Sequence, residues 1–476
     1  MEQSTRGLSI GGRRRGRWRA LSLLAAFLLA VLALAACGDD DDGVEGGEDA
    51  PATTAAEDGG TATTAAPAGE GDGEGGGEAG GDAGARLLES LALDGPGECA
   101  GESIDVGAVL ALTGPGSFYG TTMSRGIDLA VEQITAAGGP SFQVKYYDHK
   151  SGDAAAGQQA ITELGEGGYA IKLASYADDL GAMLAGTAQY EVFTLDGGGG
   201  TSIFAQGQPF FWGTRAITPN DPLPGLFMYL QETNPEATTV GLAGWDIGEP
   251  SNGIIREDIL AKIDAAGYEF NGLYELTPVG SQDYSQVLPK ITANEPDILL
   301  VGMYGQDIGS FVNQAQTAGL EAQIIGFEFT PDGINASKGT FDDVGYTFTY
   351  DFFAPNDPQN PLAELFVESF RDTYGEDPDF YAANYYEDTL ALWDLVRRVC
   401  AEGGEITGAA LDAALQANPT FASVYGGDDS TAGTKTLDLE THTVIQRPMG
   451  VFHYQDGEVT PLAYFDLDGE NFQMAG

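Results

Sequence analysis

The chain has 476 residues, with 21 basic against 72 acidic side chains, a net charge of −51 at pH 7, and 42% hydrophobic residues. So acidic a surface repels phosphate backbones and anionic headgroups, which proteins grip through Lys and Arg, so nucleic acid is excluded as a partner. The length suits more than one domain, and three cysteines are too few for a disulfide-built scaffold.

Residues 1–20 carry six arginines and one acid, followed by the sixteen uncharged residues LSLLAAFLLAVLALAA. This run is shorter than the ~20 residues a spanning helix needs. Residues 1–36 therefore read as an export signal rather than a fold element. The signal ends in LAAC, Leu34 to Cys37. Small residues before a cysteine resemble the bacterial lipobox. That likeness implies an acylated Cys37 as the mature N-terminus, anchored to the outer face of the cell membrane; ordinary secretory cleavage is the alternative. Adjacent arginines raise twin-arginine export, but the rest of that motif is missing, which favours the Sec route without deciding it. Residues 37–100 are rich in Gly, Ala, Thr and acids, and cannot bury enough apolar surface to offset the entropy of ordering. A disordered acidic tether is expected there, with the fold starting near residue 100. If Cys37 carries lipid, Cys99 and Cys400 remain as a pair in an oxidising compartment. A disulfide between them is expected, with two free thiols as the alternative.

IDVGAVLAL (104–112) is a nearly continuous apolar run, as in a strand covered on both faces. Ile127, Ala130, Val131 and Ile134 then fall on the stripe of an amphipathic helix over 120–137, stopped by Gly138-Gly139. FQVKYYDH, YAIKLAS and VFTLDG predict three further strands with helices between them, hence a right-handed parallel sheet. The rhythm breaks on the prolines of TRAITPNDPLPG (214–225). It resumes in the strands TTVGLAGWD, DILLVGM and AQIIGFEF, with helices at 251–266 and 306–318. Three helices close on AAGG (136–139), AAGY (265–268) and TAGL (317–320), each with a glycine just past the end. After YTFTYDFFAPND come helices at 360–374 and 380–400, a helix to Asn418 and a strand-rich tail. The expected fold is α/β: two Rossmann-like lobes, joined by a hinge of about three crossings, with a cleft between them. Residues 102–217 and 353–430 form lobe 1 in this reading, and residues 218–352 and 431–476 form lobe 2.

Catalytic constellations are scarce. His149, His442 and His453 are the only histidines, and none has metal-ligand spacing. There is no G-x-S-x-G elbow, no S-x-x-K pair and no Walker pattern. Gly114, Gly116 and Gly120 loosely follow a dinucleotide loop, with Asp148 where a ribose-binding acid would stand. The spacing is off by one, and an exported chain meets little nicotinamide cofactor. No cofactor, metal or enzymatic activity is expected; an exported enzyme is the rival that measurable turnover would revive.

IDVGAVLALTGPGSFYG, GIDLAVEQITAAGG and VKYYDHKSGDAAAGQQAITEL resemble the opening of the type I periplasmic binding proteins. DYSQVLPKITANEPDILLVGMYGQDIGSFVNQAQTAGL, FVESFRDTYGEDPDFYAANYYEDTLAL and GVFHYQDGEV follow in the same order. The nearest branch is the leucine/isoleucine/valine-binding family, the substrate-binding proteins of branched-chain amino acid ABC transporters, here in lipoprotein form. The likeness spans most of residues 102–465. It implies hinge closure on a small polar solute, first of all a branched-chain type amino acid, and delivery to an ABC transporter permease. Carried over by position, it implies that Tyr119 lies against the ligand side chain. Ser175, Tyr176 and Ala177, with the loop Gly198, Gly199, Gly200 and Thr201, offer hydroxyls and amides to a ligand carboxylate. Tyr304 comes from the second lobe, and Glu328 holds the ligand ammonium. Phe118 is expected to pack into its own lobe. SYADDLG replaces a serine-rich loop of the relatives, Pro250 an aromatic just after Trp245 and Asp246, and GGGG a more structured turn. These departures keep amides, urea-like solutes and small aromatic compounds open as ligands. A ligand-sensing ectodomain that signals through a membrane receptor partner is the rival function.

Overall fold

The computed structural model describes residues 76–175, 177–198, 205, 207–215, 221–249, 251–428, 431–445 and 447–475, all within one unit, Asp72–Gly476. The leader, Cys37, the first part of the tether, Tyr176, Gly199, Gly200, Thr201 and Pro250 lie outside the described residues.

Two α/β lobes repeat one winding. In the first, β1 (Ser103–Leu110), β2 (Ser141–Asp148), β3 (Ile171–Ala174), β4 (Phe193–Asp196) and β5 (Phe211–Gly213) lie parallel in the order β2-β1-β3-β4-β5. The second lobe repeats that order as β7-β6-β8-β9-β10. Its strands are β6 (Thr239–Asp246), β7 (Glu269–Pro278), β8 (Ile298–Gly302), β9 (Gln323–Gly326) and β10 (Tyr346–Asp351). The antiparallel hairpin β11 (Thr420–Asp428) and β12 (Thr431–Thr436) packs on the first-lobe helices Pro361–Tyr374 and Phe380–Ala401. The chain rejoins the second sheet only at β13 (Pro448–Gln455), which runs antiparallel to β10 and is followed outward by β14 (Glu458–Asp466) and β15 (Gln473–Met474).

Apolar runs become central strands because helices cover both faces of each parallel sheet. β3 and β4 are buried at every position. β7 carries no strand signature in the sequence, because EFNGLYELTP has no clean period. It is an edge strand, paired on one side alone, with Gly272 at φ +86° and a register shift against β6. Such irregularity also discourages sheet-to-sheet pairing at an edge.

A helix, Gly76–Ser90, lies inside the stretch expected to be a tether as far as residue 100. Leu87 is its reason: the side chain is fully buried as the helix packs on Ser117–Ala136 and Pro361–Tyr374. Gly84 comes so close to the Ala136 backbone that a Cβ would collide with it. Arg86 pairs with Glu368 at 2.7 Å, and Arg397 donates to the Gly95 carbonyl at 3.2 Å. Cys99 and Cys400 are joined as a disulfide, their Cα atoms 5.9 Å apart.

Three segments cross between the lobes: after β5, after β10 and before β13. Each carries a buried member of one ion network. Arg215 on the first donates Nε to Asp351 Oδ2, on the second, at 2.6 Å. Arg447 on the third donates Nη1 to Glu387 at 2.8 Å and Nη2 to the Thr214 carbonyl at 2.9 Å. Lys435 reaches Glu387 at 3.2 Å and Asp388 at 2.5 Å, both on the helix Phe380–Ala401. Three cations thus face three carboxylates with almost no solvent contact, an arrangement tolerable only when every charge is paired. Among the described residues, no helix is long and apolar enough to cross a membrane.

Candidate functional site

In an open parallel sheet, ligands bind beyond the carboxyl ends of the strands, where the winding reverses. Here the reversals lie between β1 and β3 in one lobe and between β6 and β8 in the other.

The loop after β1 leads straight into the helix Ser117–Ala136. Gly114 adopts φ +88°, and a Cβ on Gly120 would collide with the Ala111 carbonyl, so glycine is required at both. Asp148 ties this loop down rather than awaiting a ribose. Its Oδ1 accepts the Leu112 N–H at 3.0 Å and the Lys150 N–H at 2.8 Å, and its Oδ2 the Thr113 hydroxyl at 2.5 Å. Tyr119 emerges beyond the loop, buried; Phe118 meets it edge-on at 5.6 Å and packs against the core.

Across the interface, Glu328 follows β9 and is 1% exposed. Its Oε2 accepts the Tyr119 hydroxyl at 2.8 Å and the Gly305 N–H at 2.5 Å, and its Oε1 accepts the Tyr381 hydroxyl at 2.8 Å. Tyr119 and Tyr381 belong to the first lobe, Gly305 and Glu328 to the second, so this carboxylate ties the two together. Burial pushes its carboxyl above the ordinary range, opposed by the three donors and by the charge of Arg215. Tyr381 meets Tyr119 edge-on at 5.0 Å, and the Arg215 guanidinium lies 4.8 Å from its ring. Tyr304 immediately precedes Gly305 and sits edge-on to Trp245 at 5.1 Å, at the end of β6.

The structure thus brings Tyr119, Tyr304 and Glu328 to one place. Ser175 is engaged elsewhere. His149 Nδ1 accepts the Gly152 N–H at 3.0 Å, so Nε2 carries the proton and donates to Ser175 Oγ at 3.1 Å. Ser175 Oγ in turn donates to the Val109 carbonyl at 3.4 Å. That polarity is opposite to the one that activates a serine nucleophile, and it occupies the hydroxyl the family likeness would offer to a ligand. Ala177 opens the helix Ala177–Tyr190. Gly198 is buried, its carbonyl accepting Arg215 Nη1 at 3.1 Å.

Two residues of this site escaped the sequence reading. Tyr381 was one aromatic among several in DFYAANYYEDT, and only helix phase together with the partner lobe singles it out. Arg215, inside the Pro-rich break, was a rare cation in a lysine-poor chain; that rarity was the one available signal. Among the described residues, no group of His, Cys, Asp or Glu could hold a metal ion.

A periplasmic binding protein family model matches residues 103–458. The chain belongs to the periplasmic binding protein family. Solved structures with the same fold include the leucine binding protein LivK of Thermotoga maritima, with a TM-score of 0.65 and 19% identity over 76% of this chain and 98% of that one. The branched-chain amino acid binding protein LivJ of Streptococcus pneumoniae, in complex with isoleucine, has a TM-score of 0.64 and 20% identity over 77% and 99%. A solute binding protein of an R. palustris ABC transporter, in complex with benzoate, has a TM-score of 0.64 and 18% identity over 78% and 98%. No curated protein matches the chain. Glu328, after β9, meets Tyr119 from beyond β1 and Gly305 from beyond β8, so residues from both lobes converge on it.

Proposed function

We propose that this chain is the extracytoplasmic solute-binding lipoprotein of an ABC importer, anchored through lipid on Cys37 after removal of residues 1–36. Residues 102–217 with 353–430, and 218–352 with the tail, close as two lobes on a small polar solute and present the closed form to a permease. The bound at residue 430 would split the hairpin β11–β12; because both strands pack on first-lobe helices, β12 is assigned to the first lobe as well. One observation carries the proposal: a buried carboxylate, Glu328, lies where the two switch points meet and accepts hydroxyls from the opposite lobe.

The first ligand reading is an amino acid of the branched-chain type. A carboxylate has about four lone-pair sites, and three are taken, so one remains for a ligand ammonium. Neighbours described with leucine or isoleucine support this reading. The second reading is a small aromatic acid. Three donors already compensate the charge of Glu328, and the surrounding walls are rings. Neighbours in complex with benzoate and 4-hydroxybenzoate support it. A thermal-shift panel of amino acids, amides, urea and aromatic acids, followed by calorimetry, decides between them. Leucine or isoleucine raising the melting temperature supports the first reading, and benzoates doing so support the second. A panel without any shift removes solute capture as the function.

A further inference from the structure

Asp307 is a buried acid that solute capture through Glu328 leaves without a role. It lies in the first turn of the helix Gln306–Thr317 and is 1% exposed. Its Oδ2 accepts the indole N–H of Trp245 at 2.8 Å and the Gly280 N–H at 2.7 Å, while Oδ1 accepts Gln282 Nε2 at 2.9 Å. All three partners donate N–H, the surroundings of an ionised carboxylate. They come from the end of β6 and the loop after β7, so one side chain fixes two neighbouring strand ends beside the second-lobe switch point. Burial raises the carboxyl and opposes ionisation, and the N–H donors offset only part of that cost.

The result is a fixed indole. Trp245 has a single N–H, and tying it sets the ring plane; the edge contact with Tyr304, interplanar angle 61°, holds the other side. Tyr304 leads directly into Gly305, the residue that donates to Glu328. The first lobe answers with Tyr119 and Tyr381, also edge-on, at 74°.

We propose that Trp245 is a specificity-determining residue and Asp307 its positioning residue, together presenting a rigid aromatic wall that favours ligands carrying a flat ring over branched aliphatic ones. The inference rests on the reading of the interlobe cleft as a solute site, and it narrows the solute to an aromatic carboxylate or an aromatic amino acid. Ring pairs in edge or offset geometry gain roughly two- to ten-fold in affinity beyond their buried area, a gain an isobutyl group lacks.

The test uses the folded mature chain with three probes: benzoate, phenylalanine and leucine. Trp212 and Trp393 are buried and Trp18 lies in the leader, so a ligand-dependent change in tryptophan emission reports on Trp245. The expected result is tighter binding of a ring probe than of leucine, with an emission change. Trp245→Leu weakens the ring probes roughly ten-fold, weakens leucine by much less, and removes the emission change. Asp307→Asn shifts the emission of the ligand-free protein and narrows the ratio of ring to leucine affinity. Equal losses for ring and leucine probes in Trp245→Leu, or wild-type emission and ratio in Asp307→Asn, overturn the proposal. Should Asp307→Asn fail to fold, Trp245→Leu, at a half-buried position, decides alone. Wild-type protein that binds none of the probes overturns the cleft reading as well; binding without a change in ratio overturns this proposal alone.

Discussion

Glu328 gathers two hydroxyls and one amide on a single buried carboxylate, and its removal separates two effects. Glu328→Ala removes the proposed partner of a ligand ammonium and strands two tyrosine hydroxyls, so a zwitterionic solute is expected to lose about 2–5 kcal/mol of affinity by calorimetry. An aromatic acid without an ammonium is expected to lose much less. Asp196 makes a different prediction. Burial pushes its carboxyl up to about 8, and its Oδ2 has no hydrogen-bond partner. A folded-state value above the unfolded one means stability that is full below about 4 and declines as pH rises through about 8. Asp196→Asn is therefore expected to flatten the fall in melting temperature between about pH 4 and pH 8. His149 acts in the opposite direction: desolvation lowers it to about 4, so its contribution is full above about 6.5 and is lost as pH falls through about 4. Glu328 was singled out through the family likeness, with its place at the end of an apolar strand setting it apart from the many surface acids, and its burial agrees with that contrast. Tyr381, Arg215 and Asp307 were not, since their partners are brought near only by the fold.

At the scale of elements, the strands and helices with strong periodicity were readable, while those that depend on tertiary contact were not. GGEAGGDAGARLLES has the glycine content of a tether, and only Leu87 and Leu88 hint at a packed face. Propensity argues against a helix there, but neighbouring helices supply what the segment lacks. Leu87→Ala is expected to destabilise the first lobe by about 2–5 kcal/mol, read from chemical denaturation. The disulfide closes a separation of 301 residues. Replacing Cys99 and Cys400 by serine is expected to lower stability by about 2–5 kcal/mol, the loop-entropy model giving the upper part of that range. A melting temperature equal to wild type would show that the helix and the Arg397 contact suffice without it. β7 was missed for the complementary reason: an edge strand with a bulge carries neither alternation nor a continuous apolar run.

For the whole molecule, the doubled winding was legible from alternating strands and helices, whereas the ion network at the crossings was hidden by sequence separation. Arg215, Asp351 and Arg447 stand far apart in the chain, and nothing local marks them as partners. Arg447→Met leaves Glu387 short of one of its two cations and removes a donor from the Thr214 carbonyl. A loss of about 3–5 kcal/mol in unfolding free energy is expected. The network also joins the crossings to the helix Phe380–Ala401, so if the lobes close as proposed, bending is expected on the second-lobe side of residues 215, 351 and 447. Spin labels on opposite lobes, with and without ligand, check that placement.

The helix Gly76–Ser90 fastens the upstream end of the described chain to the first lobe through Leu87, Arg86 and Gly84, with Cys99 close behind. In the proposed anchored form, a pull arriving along the chain upstream of residue 76 would be borne by the first lobe alone. The second lobe would then swing unloaded, so the rate of the proposed closure is expected to be indifferent to tension applied there. Magnetic tweezers gripping residue 76 would register that indifference.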